Sequence, residues 1–260
     1  MDKKSISRAA ALLWDTLKSN SQIDTLPANC RPQNITDGYL IQDQLEKISG
    51  LSVTGYKVGA TNARVQNGFG IDSPFYGRLY NKFIYKEPAS IPRGIINSYA
   101  IEPEFDFIIN KDMPPREVPY TKTEIVESIE SVHPAIEIPD SRYKDWFKVK
   151  APDLIADNAI SGVLVLGPAE PKLRTKDLSD QTVEVLVNGD TAGHGIGSNV
   201  LGGPWNVLTW LINNLNSKGV TVNSGSLITT GSASDVIYCK PGDKVECNFG
   251  ELGTISVEFD

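Results

Sequence analysis

Ile101-Glu102-Pro103-Glu104-Phe105-Asp106-Phe107 carries most of what this chain says about itself. As a β-strand it sends Glu102, Glu104 and Asp106 to one face and Ile101, Phe105 and Phe107 to the other. An acid at every second position is unfavourable on a buried face, because like charges repel and each carboxylate loses its water. A divalent cation would remove both penalties. A second run, His133-Pro134-Ala135-Ile136-Glu137-Ile138-Pro139-Asp140, sets Glu137 between isoleucines in a similar strand-like pattern. Three carboxylates from two strands suit one face of a hard ion such as Mg²⁺ or Mn²⁺, with other positions open to substrate. The plainer alternative is a solvated face, as on most antiparallel sheets, and spacing alone favours it.

Outward from that stretch, 260 residues suffice for one large domain or two small ones with a proper core. A net charge of −7 argues against nucleic acid or an anionic membrane as the main partner, since both select for basic patches. There is no basic-then-apolar leader and no apolar run of about eighteen residues, so a cytoplasmic protein is expected. Cys30, Cys239 and Cys247 lack metal-ligand spacing and are expected as free thiols. His133 and His194 are the only histidines, which turns any metal chemistry towards carboxylates.

The N-terminal region reads as helical. Ile6, Ala9, Ala10, Leu13 and Leu17 recur at helical spacing, and a second helix is expected over Asp37 to Ser49 with Ile41, Leu45 and Ile48 inward and Gly50 past its end. Residues 1–52 are expected as a helical layer on a β-rich catalytic region spanning 53–260. Lys57 sits inside the strand-like Thr54–Thr61, where it either serves a site or blunts an edge strand. Arg64 to Gly77 reads as a short helix and a turn. Thr121-Lys122-Thr123-Glu124 is a capping box, followed by Ile125, Ile129 and Val132 at helical spacing. Asp157–Gly162 precedes the apolar strand Val163–Leu166, a place where site residues and plain turns both occur. Asn188-Gly189 signals a hairpin, and the Gly-rich Ala192–Asn199 reads as a flexible loop, with nucleotide binding as its runner-up. A helix starting at Pro204 and stopping at Gly219 precedes a β-rich end with a terminal hairpin around Gly250–Gly253. The fold class is α+β.

Taken in order, several short motifs resemble the hydratase/decarboxylase branch of the fumarylacetoacetate hydrolase superfamily over nearly the whole chain. They are Gly55-Tyr56-Lys57-Val58-Gly59, Ile101-Glu102-Pro103-Glu104, Pro134-Ala135-Ile136-Glu137-Ile138, Ser141-Arg142, Asp145-Trp146, Ala156-Asp157-Asn158, Leu201-Gly202-Gly203-Pro204, Thr230-Gly231 and Pro241-Gly242-Asp243. The resemblance implies a central β-roll, Mg²⁺ or Mn²⁺ held by Glu102, Glu104 and Glu137, an active-site Lys57 and a homo-oligomer. It makes Asp106 a spare acid and sets Asp72, Phe75, Arg142, Asn158 and Ser161 around the substrate. Two departures are visible. Pro74-Phe75-Tyr76-Gly77 has Phe75 where the family often has an acid, and Asp157-Asn158-Ala159-Ile160-Ser161 has lost one hydroxyl.

The implied chemistry is that of a small 2-keto or 2-hydroxy-dienoic acid chelated through two oxygens. Water addition of the 2-keto-4-pentenoate type is the expected reaction. Decarboxylation of the 4-oxalocrotonate type, acylpyruvate-type C–C hydrolysis and a catalytically idle keto-acid binder are the alternatives. Glu102, acting through water, is the first candidate for the proton shuttle, ahead of His133 and His194.

Overall fold

The computed structural model describes all of Met1–Asp260, with six α-helices and thirteen β-strands. The helical layer opens with α1 (Lys3–Lys18), whose N-cap Asp2 accepts from the Ser5 N–H at 2.7 Å. Helix α2 (Ile35–Ser49) is capped by Asn34 and ends at Gly50 in the left-handed region. Ala9, Ala10, Leu13, Ile41 and Leu45 share one buried cluster with Leu154 and Ile155 of α5 (Ala151–Ala156), so distant sequence completes the layer. Ile48 is exposed, not inward. The buried stripe of α2 runs through Gln42 instead, whose amide donates to Tyr76 O at 3.0 Å and Ile155 O at 2.8 Å.

The larger sheet joins β1 (Val53–Gly59), β2 (Phe75–Tyr80), β3 (Ile84–Lys86), β5 (Ala100–Ile109), β6 (Ile129–Ile138), β7 (Val163–Leu166) and β10 (Leu227–Thr229) in the order β2-β1-β10-β5-β6-β7-β3, with β11 (Ile237–Tyr238) added to β5. The smaller sheet runs β4-β13-β12-β8-β9, from β4 (Ala89–Ile91), β8 (Thr182–Val187), β9 (Asp190–Ile196), β12 (Lys244–Asn248) and β13 (Thr254–Phe259). The apolar face of β5 (Ile101, Phe105 and Phe107) enters the main core with Val245, Phe249 and Ile255 of the C-terminal region. Trp205, Leu208 and Leu211 of α6 (Pro204–Ser217) complete that core. The other face of the larger sheet holds the acids with an aliphatic cluster of Leu79, Ala135, Leu164 and Leu227 beside them, Ala135 being the cross-strand partner of Glu104 and Leu164 that of Glu137. This is the expected α+β fold built on a β-roll.

Three segments differ from the sequence reading. The capping box at Thr121 forms, but α4 (Lys122–Glu127) is short, and Ile129 and Val132 belong to β6. Pairing along β5, from Ile109↔Ile129 to Glu102↔Glu137, outweighs their helical spacing. Phe75–Gly77, expected in a turn after α3 (Ala63–Phe69), starts β2. The stretch Ala192–Asn199 is mostly strand β9, paired with β8 across the Asn188-Gly189 hairpin. Its glycines permit close packing and do not make a flexible or phosphate-binding loop: a Cβ on Gly197 would sit 1.8 Å from Leu178 O, and on Gly195 2.6 Å from Ala233 O.

Candidate active site

Strand register brings the acids together. Glu102 and Glu137 are direct partners on β5 and β6, and Glu104 lies two residues along β5 on the same face. One carboxylate oxygen from each of Glu102, Glu104 and Glu137 lies within 4.8 Å of the others. Glu104 and Glu137 are fully buried and Glu102 is half-buried, so the solvated-face alternative fails. Lys57, 3 % exposed, stands on β1 between β2 and β10, which removes the edge-strand reading. Its Nζ lies 2.7 Å from Glu137 Oε1 and donates to Ala159 O at 3.1 Å.

The remaining oxygens are underpartnered. Glu104 Oε2 accepts from the Gly231 N–H at 2.8 Å, while Glu104 Oε1 and Glu137 Oε2 have no hydrogen-bond partner. Gly231 supplies that N–H from a backbone at φ +88, where a Cβ would fall 2.4 Å from Thr61 Oγ1, so no other residue fits without strain. Burial, then the neighbouring Glu137 charge, pushes the Glu102 carboxyl up to about 7 and holds Glu104 well above the usual carboxylate range. Burial acts to lower the Lys57 pKa, but Glu137, Glu102 and Glu104 together outweigh it and raise it, so the ammonium stays charged. Three converging carboxylates with orphaned buried oxygens fit a divalent cation, which would satisfy them and relieve their repulsion.

Asp106 is fully buried on the same face, opposite His133, with neither oxygen hydrogen-bonded. Burial, then the Glu137 charge, holds it well above its ordinary pKa. His133 is occupied on both sides, by Ser131 Oγ at 2.8 Å and Gly167 O at 3.0 Å, and His194 is exposed on β9 of the other sheet. Neither histidine borders the pocket described next.

Lys57 and Glu102 stand at the inner end of a pocket of ≈ 480 Å³ that is also lined by Phe75 and Ile160. Among the other residues expected around a substrate, Asp72 is exposed on the surface outside this pocket. Arg142, Asn158 and Ser161 lie behind its wall. Their place there has a clear physical function. Asn158, Ala159 and Ile160 are three consecutive non-glycine residues in the left-handed region, at φ 52, 54 and 53, a conformation costing roughly 1–2 kcal/mol per residue. Buried Arg142 clamps both ends of this turn: it pairs with the Asp157 carboxylate, donates to Asp157 O at 2.7 Å and reaches Ser161 O at 3.1 Å. Asn158 locks the middle, accepting from Arg78 N at 2.7 Å and donating to Arg78 O at 2.8 Å. The turn delivers Ala159 O to Lys57 and Ile160 to the pocket. No glycine marks these positions, so propensity offers no signal for the turn.

Residues 69–259 match the fumarylacetoacetate (FAA) hydrolase C-terminal family. This chain belongs to the fumarylacetoacetate hydrolase family. Within it, the chain is 32% identical over 255 residues to a 2-keto-4-pentenoate hydratase of Paraburkholderia xenovorans, covering 97% of this chain and 94% of that one. It is also 32% identical over 264 residues to a 2-hydroxyhexa-2,4-dienoate hydratase of Comamonas testosteroni, covering 99% and 98%. Among solved structures, 4-oxalocrotonate decarboxylase from Pseudomonas putida G7, complexed with magnesium and adipate, superposes at a TM-score of 0.92 with 23% identity, covering 100% of this chain and 99% of that one. That likeness establishes the shared fold of this fumarylacetoacetate hydrolase family member. No helix of the chain is long and apolar enough to cross a membrane.

Proposed function

We propose that this protein is a divalent-metal-dependent hydro-lyase that adds water to a small 2-hydroxy-dienoate or 2-keto-enoate of the 2-keto-4-pentenoate type. The observation that carries the reading is the convergence of Glu102, Glu104 and Glu137 beside Lys57 at the foot of a pocket, in a chain matched end to end by hydratases. Glu102, Glu104 and Glu137 would hold Mg²⁺ or Mn²⁺, which supplies Lewis acidity to a chelating keto acid.

The chain's own residues supply the rest. Lys57 keeps a permanent positive charge next to the bound acid, where it stabilises a carboxylate or a developing enolate. Its grip on Ala159 O and Glu137 fixes the ammonium before substrate arrives. Glu102, the carboxylate that borders the pocket, is placed to take up or return a proton, directly or through a water. Phe75 and Ile160 lower the polarity of the wall, which strengthens each charge interaction at the inner end. Arg142, Asn158 and Ser161 act on substrate, in this reading, only through the shape of the wall, and Asp72 takes no part. A homo-oligomer remains our expectation.

The test is ultraviolet absorbance of 2-hydroxypenta-2,4-dienoate with Mg²⁺ or Mn²⁺. Hydration removes the conjugated band without releasing carbon dioxide, and a chelator stops it. Carbon dioxide release from a dicarboxylic substrate would move the protein to the decarboxylases. Metal binding with no turnover would make it a keto-acid binder.

A further inference from the structure

The same pocket carries information about the part of the substrate that does not react. Its inner end holds Lys57 and Glu102, and its rim holds Arg64 and Asp235, which pair with each other in a largely exposed position. No other charged side chain lines it. Between these ends the wall is uncharged and mostly apolar, with Thr61, Asn62 and Ser232 as polar side chains, and its exposure rises from Phe75, Leu154 and Ile160, all at most 9 % exposed, to half-buried Phe69 and Trp146. Trp146 is stacked on Phe147 with ring centroids 3.6 Å apart, and Tyr238 completes the mouth. Two polar side chains on the lining are already engaged: Asn62 Oδ1 caps α3, and the Ser232 hydroxyl donates to Ser234 O at 2.9 Å.

We propose that the far end of the substrate is an extended, neutral, apolar group, an aryl ring or a branched alkyl chain, and not a second carboxylate. The inference rests on the reading that the keto-acid end is held at Lys57 and the three glutamates. A five-carbon dienoic acid has about eight heavy atoms and, at no more than the ~30 Å³ of a liquid water molecule each, fills about 240 Å³. That is about half of the 480 Å³ between the acids and solvent. A tail crossing the remaining space meets Phe69 and the Trp146 ring, which reward apolar and aromatic contact. A terminal carboxylate in the same place would lose water against a wall with no free cation, since Asp235 already neutralises Arg64.

The experiment compares kcat/KM for 2-hydroxydienoates whose terminal carbon bears a methyl, a phenyl or a carboxylate group. The phenyl-tailed compound should exceed the carboxylate-tailed one by about 100-fold, and Trp146→Ala should lower the phenyl-to-methyl ratio about tenfold. A carboxylate-tailed substrate turned over as well as the phenyl-tailed one overturns the proposal, as does an unaltered ratio in the Trp146 variant. If no dienoate reacts, the hydratase reading fails, and the tail preference is then read separately. Quenching of tryptophan fluorescence by phenyl-tailed and carboxylate-tailed 2-oxo acids, with Mn²⁺ present, gives their affinities. Tighter binding of the phenyl compound upholds the tail assignment, and equal or weaker binding overturns it.

Discussion

Replacing Arg142 by methionine tests whether the left-handed turn beside Lys57 is held by its clamp. Arg142 is 3 % exposed and Asp157 is wholly buried, so the substitution leaves a buried carboxylate with the Ser141 hydroxyl and one backbone N–H as its donors. Breaking such a pair costs about 3–5 kcal/mol. Three consecutive left-handed residues store roughly 3–6 kcal/mol. The substitution also removes the hydrogen bonds to Asp157 O and Ser161 O that hold the two ends of this strained turn, so Asn158–Ile160 should relax and carry Ala159 O away from Lys57. The expected result is a folded protein with turnover reduced by about 100-fold, as a misplacement of about 1 Å at a reacting centre produces. Ala159→Gly supplies the discriminating arm, because glycine adopts φ +54 without penalty. In the wild type, where the turn is already formed, this change should barely alter turnover. Added to Arg142→Met it should recover about fivefold, the equivalent of about 1 kcal/mol of relieved strain. Turnover is read in the dienoate assay and folding by circular dichroism. A double variant no more active than Arg142→Met, with both folded, refutes the clamp.

Glu104→Gln and Glu137→Gln should each abolish metal-dependent turnover while preserving the fold, and full activity in both removes the metal assignment. Lys57→Ala should still bind Mn²⁺, measured by titration calorimetry, yet lose orders of magnitude in kcat; an unaffected rate returns Lys57 to a structural role. In chelator, stability should fall as pH rises. A carboxyl held near 7 in the fold and near 4.5 unfolded stabilises fully below 4.5, and that contribution is lost as pH climbs through about 7. Glu102 and Glu104 contribute to this loss together, and it is read as a fall in Tm. Added Mg²⁺ should therefore raise Tm more at pH 8 than at pH 6, and flat chelated melts from pH 5 to 8 would contradict the buried acid cluster.

The placement of the acids is partly legible in the residues. Alternation alone put Glu102, Glu104 and Asp106 on one face, but only the resemblance raised the metal above a solvated face, because spacing does not report burial. The capping box at Thr121, the hairpin at Asn188-Gly189 and the helix from Pro204 are local signals and were legible as such. Ile129 and Val132 misled because their spacing suits a helix, while their strand state depends on a partner about twenty residues earlier. The glycines of Ala192–Asn199 suggest freedom in sequence, whereas Gly195 and Gly197 mark backbone packed against Ala233 and Leu178. Arg142 and Asn158 illustrate the limit best: their place in the chain is visible in sequence, but their task of holding a strained turn exists only once Asp157, Arg78 and Ser161 surround them.

The aliphatic cluster of Leu79, Ala135, Leu164 and Leu227 has a bearing on traffic through the enzyme. It packs beside the acids, each member at most 3 % exposed, and closes that part of the sheet to solvent, while the pocket opens past Trp146 and Tyr238. Whatever is consumed there and whatever is made there share one doorway. For a reaction that adds water, the attacking molecule has to be inside before an apolar tail corks the entrance, and the hydrated product has to back out before the next substrate can be admitted.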